Sequence, residues 1–265
     1  MALETRYAAR RDWPVDRLVE SLAALLTVRR RPITRQRITF LDTFDGRVRR
    51  AGACLTLTAD TGGNRIQWRQ GNLRVGCTLG GMVQFAWDLP QGSVRERIEP
   101  IIEMRGLLPL AEAEQDGVLL DVMDETRKTI ARLNIVAGRA RAPKRRSRWQ
   151  PFQPFLTLNA LRGYDEQCAG PISIIESRPG IEPSDLALQG HVLRAIGASL
   201  PQDVSVYCVE LEPMVRADIG SLRMHRELLR IIVANHAGVL TGVDSEFLHD
   251  LSGDPGDQRR LASVP

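Results

Sequence analysis

Residues i and i+2 of an extended chain lie on the same side, and this sequence repeatedly sets cationic side chains at that spacing. In "LETRY", Glu4 and Arg6 share a face. In "NRIQWRQ", Arg65, Gln67 and Arg69 share one, with Ile66 and Trp68 on the other. Arg35 and Arg37 point together in "RQRITF", and Lys128 and Arg132 line up with Asn134 around Ile130. A planar guanidinium matches the oxygens of a phosphate, so several on one side suit a polyanion. A solvated outer face would show the same alternation, and spacing alone leaves both readings open. The stretch "RARAPKRRSRWQP" (139–151) adds six basic residues and two prolines. It is expected to be a loop, either a solvated turn or a patch for an anionic partner.

Other chemistries find less support. The cysteines Cys54, Cys77, Cys168 and Cys208 are scattered with no CxxC pair, which fits a reducing cytoplasm and no zinc ribbon. No nucleophile elbow, P-loop or dinucleotide-binding glycine pattern occurs, and "TADTGGN" reads as a hairpin. The basic residues lack the aromatic interleaving of a nucleic-acid stacking platform. No signal peptide and no run long and apolar enough for a membrane span is visible. The chain has 265 residues, net charge +4, 43% hydrophobic and 26% charged residues, so a soluble domain with a sizeable core is expected. Lys128 and Lys144 are the only lysines among 36 basic residues. An arginine-rich composition accounts for that total, so only arginine position carries weight.

The elements that must position these groups are mostly strands. Residues 2–8 read as a strand, and "WPVDRLVESLAALL" (13–26) as a helix closed by "VRRRP". Short alternating segments follow: "RQRITFLDT", "ACLTLTA", "NRIQWRQ", "NLRVGCTL", "MVQFAWDL", "GVLLDVMD", "TIARLNIVA" and "PFLTLNAL". Gly, Asp or Pro separates most of them, as in an antiparallel meander. "SVRERIEPIIEMRGL" (93–107) reads as a helix between strands, and 213–240 as a long helix ending near Gly238. The expected class is α+β: an antiparallel β-barrel or tunnel of about eight strands with flanking helices, plus a C-terminal helix.

The order "LETRY", helix, then "RITFLDTFDGRVRRAGACLTLTADTGGNRIQWR" resembles the opening of a CYTH domain, the triphosphate tunnel metalloenzyme family. That family opens on an alternating Glu-x-Glu-x-Lys strand and continues through a "YFDT"-like strand end. The likeness covers roughly residues 1–212, and "LRGYD" (161–165) is similar to a late segment of such regions. "NHAGVLTGVDSEFLHDL" (235–251) resembles the start of a CHAD domain, a basic helical module, which makes 213–251 its first helix and singles out His249. In that family the segment runs on into an Arg-rich helix. Here "SGDPGDQRRLASVP" (252–265) follows, which reads as a non-native or disordered tail of a truncated or frameshifted product.

The resemblance implies a tunnel gripping triphosphate, polyphosphate or a similar anion through Arg6, Arg37, Arg65, Arg69, Lys128 and Arg132, with Glu4 and Asp88 as metal ligands. It also exposes departures. The family's first strand falls on Ala2, Glu4 and Arg6, so one carboxylate is gone. Its paired arginines fall on Thr56 and Thr58. Its acidic strand falls on Gln84, Ala86 and Asp88, and the late one on "IARLNIV", with Asp121, Asp124 and Glu125 just before it. Triphosphate hydrolysis needs Mg or Mn to neutralise phosphoryl oxygens, and such ions need well-placed carboxylates. The expectation is a degenerate, anion-binding tunnel in a CYTH–CHAD protein. The alternatives are an Mg- or Mn-dependent triphosphatase and a structural platform for the helical module. No membrane partner is expected, and the apolar face of the last helix offers a surface for self-association.

Overall fold

The computed structural model describes residues 3–60, 63–71, 73–143, 146–198, 209, 211–212 and 214–241. His249 and the rest of 242–265, the expected CHAD continuation and tail, lie outside the described residues. In chain order the elements are β1 Glu4–Ala9, α1 Val15–Ala23, β2 Val28–Asp42, α2 Arg47–Arg50, β3 Ala53–Asp60, β4 Gly63–Gln70 and β5 Leu73–Leu79. Then come α3 Ser93–Ile102, β6 Leu108–Met123, β7 Thr129–Arg141, β8 Gln150–Ala160, α4 Ala169–Glu176, β9 Ile181–Pro183, α5 Leu188–Ala195 and α6 Ala217–Thr241.

All nine described strands join one sheet in the order β5-β4-β3-β2-β6-β7-β8-β1-β9, and every pairing is antiparallel. The α+β class holds: an antiparallel sheet wrapped around a cavity, with flanking helices and a C-terminal helix. One face carries the large apolar cores. Leu18, Val19 and Leu22 of α1 pack with Ile175 of α4 against Leu120, Leu133 and Leu158. Ile66 and Trp68 of β4 pack under Val48 of α2 and Val94, Ile98 and Ile102 of α3. With helices over that face, the opposite, concave face is left to the other residues of each alternation. Those are the positions where arginines recur.

Curvature has a local cause. A side-chain carbon on Gly117 would run into the Ile135 carbonyl, and one on Gly138 into that of Glu114. Only glycine lets β6 and β7 approach this closely, and the β7–β8 register shifts between Val136 and Gly138. Glycines and register breaks of this kind bend a sheet.

Several elements differ from the sequence reading. "VRRRP" does not close α1; Val28 already starts β2. "MVQFAWDL" is not a strand. Its Ala86–Asp88 forms a 3-10 turn in which the Asp88 carboxylate accepts the Gln84 and Phe85 N–H at 2.9 and 2.8 Å. That side-chain cap outcompetes a ladder, and Phe85 stacks on Trp87 with ring centroids 4.5 Å apart. The basic loop is shorter than expected, because Arg139–Arg141 extend β7 and Gln150 opens β8. "RVRR" winds into α2 because the buried Asp42 carboxylate accepts the Thr43, Val48 and Arg49 N–H.

If the Gly117–Gly138 contact sets the curvature, Gly117→Ala and Gly138→Ala should each destabilise the fold by about 1–3 kcal/mol or more. Urea unfolding curves measure this.

Candidate functional site

Strand register assembles the concave face in rungs. One rung reads Arg29, Asp121, Arg132, Asn159 and Glu4 across β2, β6, β7, β8 and β1. The next reads Arg31, Leu119, Asn134, Thr157 and Arg6 over the same strands. On the other arm, Phe40, Thr56, Gln67 and Gly76 form one rung, and Cys54, Arg69 and Arg74 another. The two arms enclose a cavity of ≈ 610 Å³ lined from eight strands. Three guanidiniums line it: Arg69 and Arg74 on one arm and Arg132 on the other. Among the described residues Glu4 is its only acidic lining residue. Threonines and carboxamides fill some of the intervening positions and apolar side chains such as Ile38, Phe40, Leu119, Val136 and Phe155 the others; Gln115 Oε1 and Asn134 Oδ1 are buried without a hydrogen-bond partner among the described residues.

The carboxylates on this face are held by arginines. Glu4 accepts Arg6 at 2.7–2.8 Å. Asp121, fully buried, takes Arg29 at 2.9 Å and Arg31 at 2.5 Å, with Arg132 at 3.8 Å. Burial pushes the Asp121 carboxyl up, but the Arg29 and Arg31 hydrogen bonds outweigh it and hold the group below its ordinary value. Each of the three arginines keeps half or more of its side chain exposed. One buried carboxylate therefore braces three cations at one end of the cavity.

A divalent ion fits this donor set poorly. Among the described residues no group of three or more His, Cys, Asp or Glu side chains is placed to hold one. Glu4 Oε1 and Asp121 Oδ2 already take guanidiniums, and Asp121 Oδ1 is buried with Arg132 3.8 Å away. Asp88 caps its turn away from the cavity, and Asp124 accepts the Lys128 N–H and the Thr126 hydroxyl. Nucleophilic chemistry is no better served. Burial pushes the Cys54 thiol up to about 11, so it stays protonated. His191 meets Ser184 Oγ at 3.1 Å, but its other ring nitrogen is buried without a partner, so nothing orients it as a base.

The residues singled out from sequence divide as follows. Glu4, Arg69 and Arg132 line the cavity. Arg6 lies beside it, bridged to Glu4, and Arg65 lies one rung beyond Gln67 on the same face of β4. Lys128 sits in the β6–β7 turn. Arg37 faces away from the cavity. The β2–β6 register shifts between Ile33 and Gln36, so Arg29 and Arg31 lie on the concave face while Arg35 and Arg37 lie on the outer one. On that outer wall Arg37 and Arg139 hold the Glu114 carboxyl down to about 2, and Arg37, Arg139 and Arg141 lie over the Trp149 ring. Sequence reading missed Arg29, Arg31 and Arg74. The "VRRR" run was absorbed into a helix end, and Arg74 has no cationic i+2 neighbour.

No family model matches the chain, and no curated protein matches it. Solved structures align with it at low identity. A candidate adenylate cyclase from Bacillus halodurans is 11% identical, covering 72% of this chain and 96% of its own, with a TM-score of 0.46. A candidate adenylyl cyclase from Hippeastrum with a dominant triphosphatase activity is 12% identical, covering 76% and 98%, with a TM-score of 0.48. The PH1819 protein of Pyrococcus horikoshii is 8% identical, covering 68% and 93%, with a TM-score of 0.32. At these values the likeness carries no argument about activity.

Asp121 gives the site a pH signature. A carboxylate held low in the folded state contributes stability above its ordinary value, near 3.8, and loses it as pH falls through the folded value. Urea midpoints taken from about pH 5 down to about pH 2 should fall more steeply for the wild type than for Asp121→Asn.

Proposed function

We propose that the chain is a CYTH-like protein whose cavity binds a linear phosphate chain or a similar small polyanion without hydrolysing it. The observation that carries this reading is the charge of the lining: Arg69, Arg74 and Arg132 against Glu4, itself bridged to Arg6. Guanidiniums on both arms can each take phosphate oxygens in pairs. Arg29 and Arg31, braced on Asp121, extend the positive end outward and would steer an anion inward. The threonines and carboxamides between the arms add neutral donors.

Hydrolysis is the part of the sequence expectation that finds least footing. Dispersing charge on a phosphoryl group in transfer calls for metal ions held by carboxylates, and Glu4 and Asp121 each already bridge an arginine.

Titration calorimetry with inorganic tripolyphosphate tests the reading. Binding should weaken by about tenfold or more in Arg69→Ala and in Arg132→Ala, each removing a charge-assisted contact. Wild-type heat equal to buffer would support the platform reading instead. Phosphate release with Mg²⁺ or Mn²⁺ at about 1 s⁻¹ or faster would overturn the proposal in favour of a triphosphatase.

A further inference from the structure

Helix α5 is seated on the concave side. Val192 and Leu193 bury against Ile38, Phe40, Val136 and Phe152, so α5 covers one end of the cavity. Three features of its N-terminus bear on ligand binding. The N-cap residue is Ala187, and no side chain caps the helix. The N–H groups of Leu188 and Gln189 make no hydrogen bond to any described residue, whereas those of Gly190 and His191 reach the Ala187 carbonyl. Both Leu188 and Gln189 line the cavity.

Gln189 supplies a second, independent observation. It is only 9% exposed, its carboxamide has no partner among the described residues, and it lines the cavity. Free N–H groups at a helix start, with the helix dipole behind them, favour an anion.

Building on the anion-binding reading above, we propose that the start of α5 is an end-recognition subsite. The Leu188 and Gln189 N–H groups and the Gln189 carboxamide hold the terminal oxyanion of a short linear phosphate chain. The chain's remaining phosphates lie toward Arg69, Arg74 and Arg132. Because α5 covers that end, the cavity takes a chain by its terminus rather than threading a long one.

Titration calorimetry on the full chain tests this with inorganic tripolyphosphate and with cyclic trimetaphosphate, which has no terminal phosphate. The subsite predicts that trimetaphosphate binds about tenfold or more weakly than tripolyphosphate. Gln189→Leu should weaken tripolyphosphate binding by about tenfold. Gln189→Glu should abolish it while leaving the melting temperature unchanged or raised, because a carboxylate suits a helix N-terminus. That split separates binding from folding. Wild-type-like tripolyphosphate affinity in both variants, or equal affinity for the ring and the chain, overturns the subsite. If Arg69→Ala and Arg132→Ala weaken binding while both Gln189 variants do not, the subsite alone falls. A wild type that binds no tripolyphosphate removes the subsite together with the anion-binding reading.

Discussion

The two-residue repeat of a strand, broken once in β2, decides what this protein can bind. Alternation puts half of each strand under the helices and half on the concave face. A register shift between Ile33 and Gln36 exchanges the faces along β2. Arg29 and Arg31 thereby join Arg132 around Asp121, and Arg35 and Arg37 go to the outer wall with Glu114 and Trp149. One irregularity thus sorts a run of arginines into a binding group and a structural group. The glycine contact between β6 and β7 curves the same sheet, so rungs on distant strands line one cavity.

Charge balance follows from that sorting. A guanidinium costs little to keep where water reaches it, and most of the concave arginines are half-exposed. A carboxylate buried beside them is tolerated only because they hydrogen-bond it. Asp121 is therefore a brace: it fixes Arg29 and Arg31 in place, with Arg132 close by, without cancelling their charge. On the outer wall, Glu112 and Glu114 do the same for Arg35, Arg37, Arg139 and Arg141. A face built this way holds anions well and metal ions poorly, which separates binding from catalysis in the same cavity.

The sheet was largely legible from sequence because its strands alternate cleanly. "NRIQWRQ" became β4 with Ile66 and Trp68 buried and Arg69 facing the cavity. The helices at 13–26, 93–107 and 213–240 appeared as α1, α3 and α6 within a few residues. Legibility failed where a local interaction overrode the pattern. Asp88 capping its own turn erased an expected strand, and the break in β2 reversed the placement of Arg37. Alternation specifies faces only while register holds, and nothing in "RRRPITRQR" announces the shift. Gln189 was equally invisible: a glutamine carries no signal until a helix start and a cavity converge on it.

Everything in this structure turns on anions binding on the concave face between the two arms. A crystal structure of the protein with tripolyphosphate tests it most directly. The anion should lie between Arg69 and Arg74 on one side and Arg132 on the other. An anion bound instead on the outer wall at Arg37, Arg139 and Arg141, with the cavity holding water alone, would contradict it.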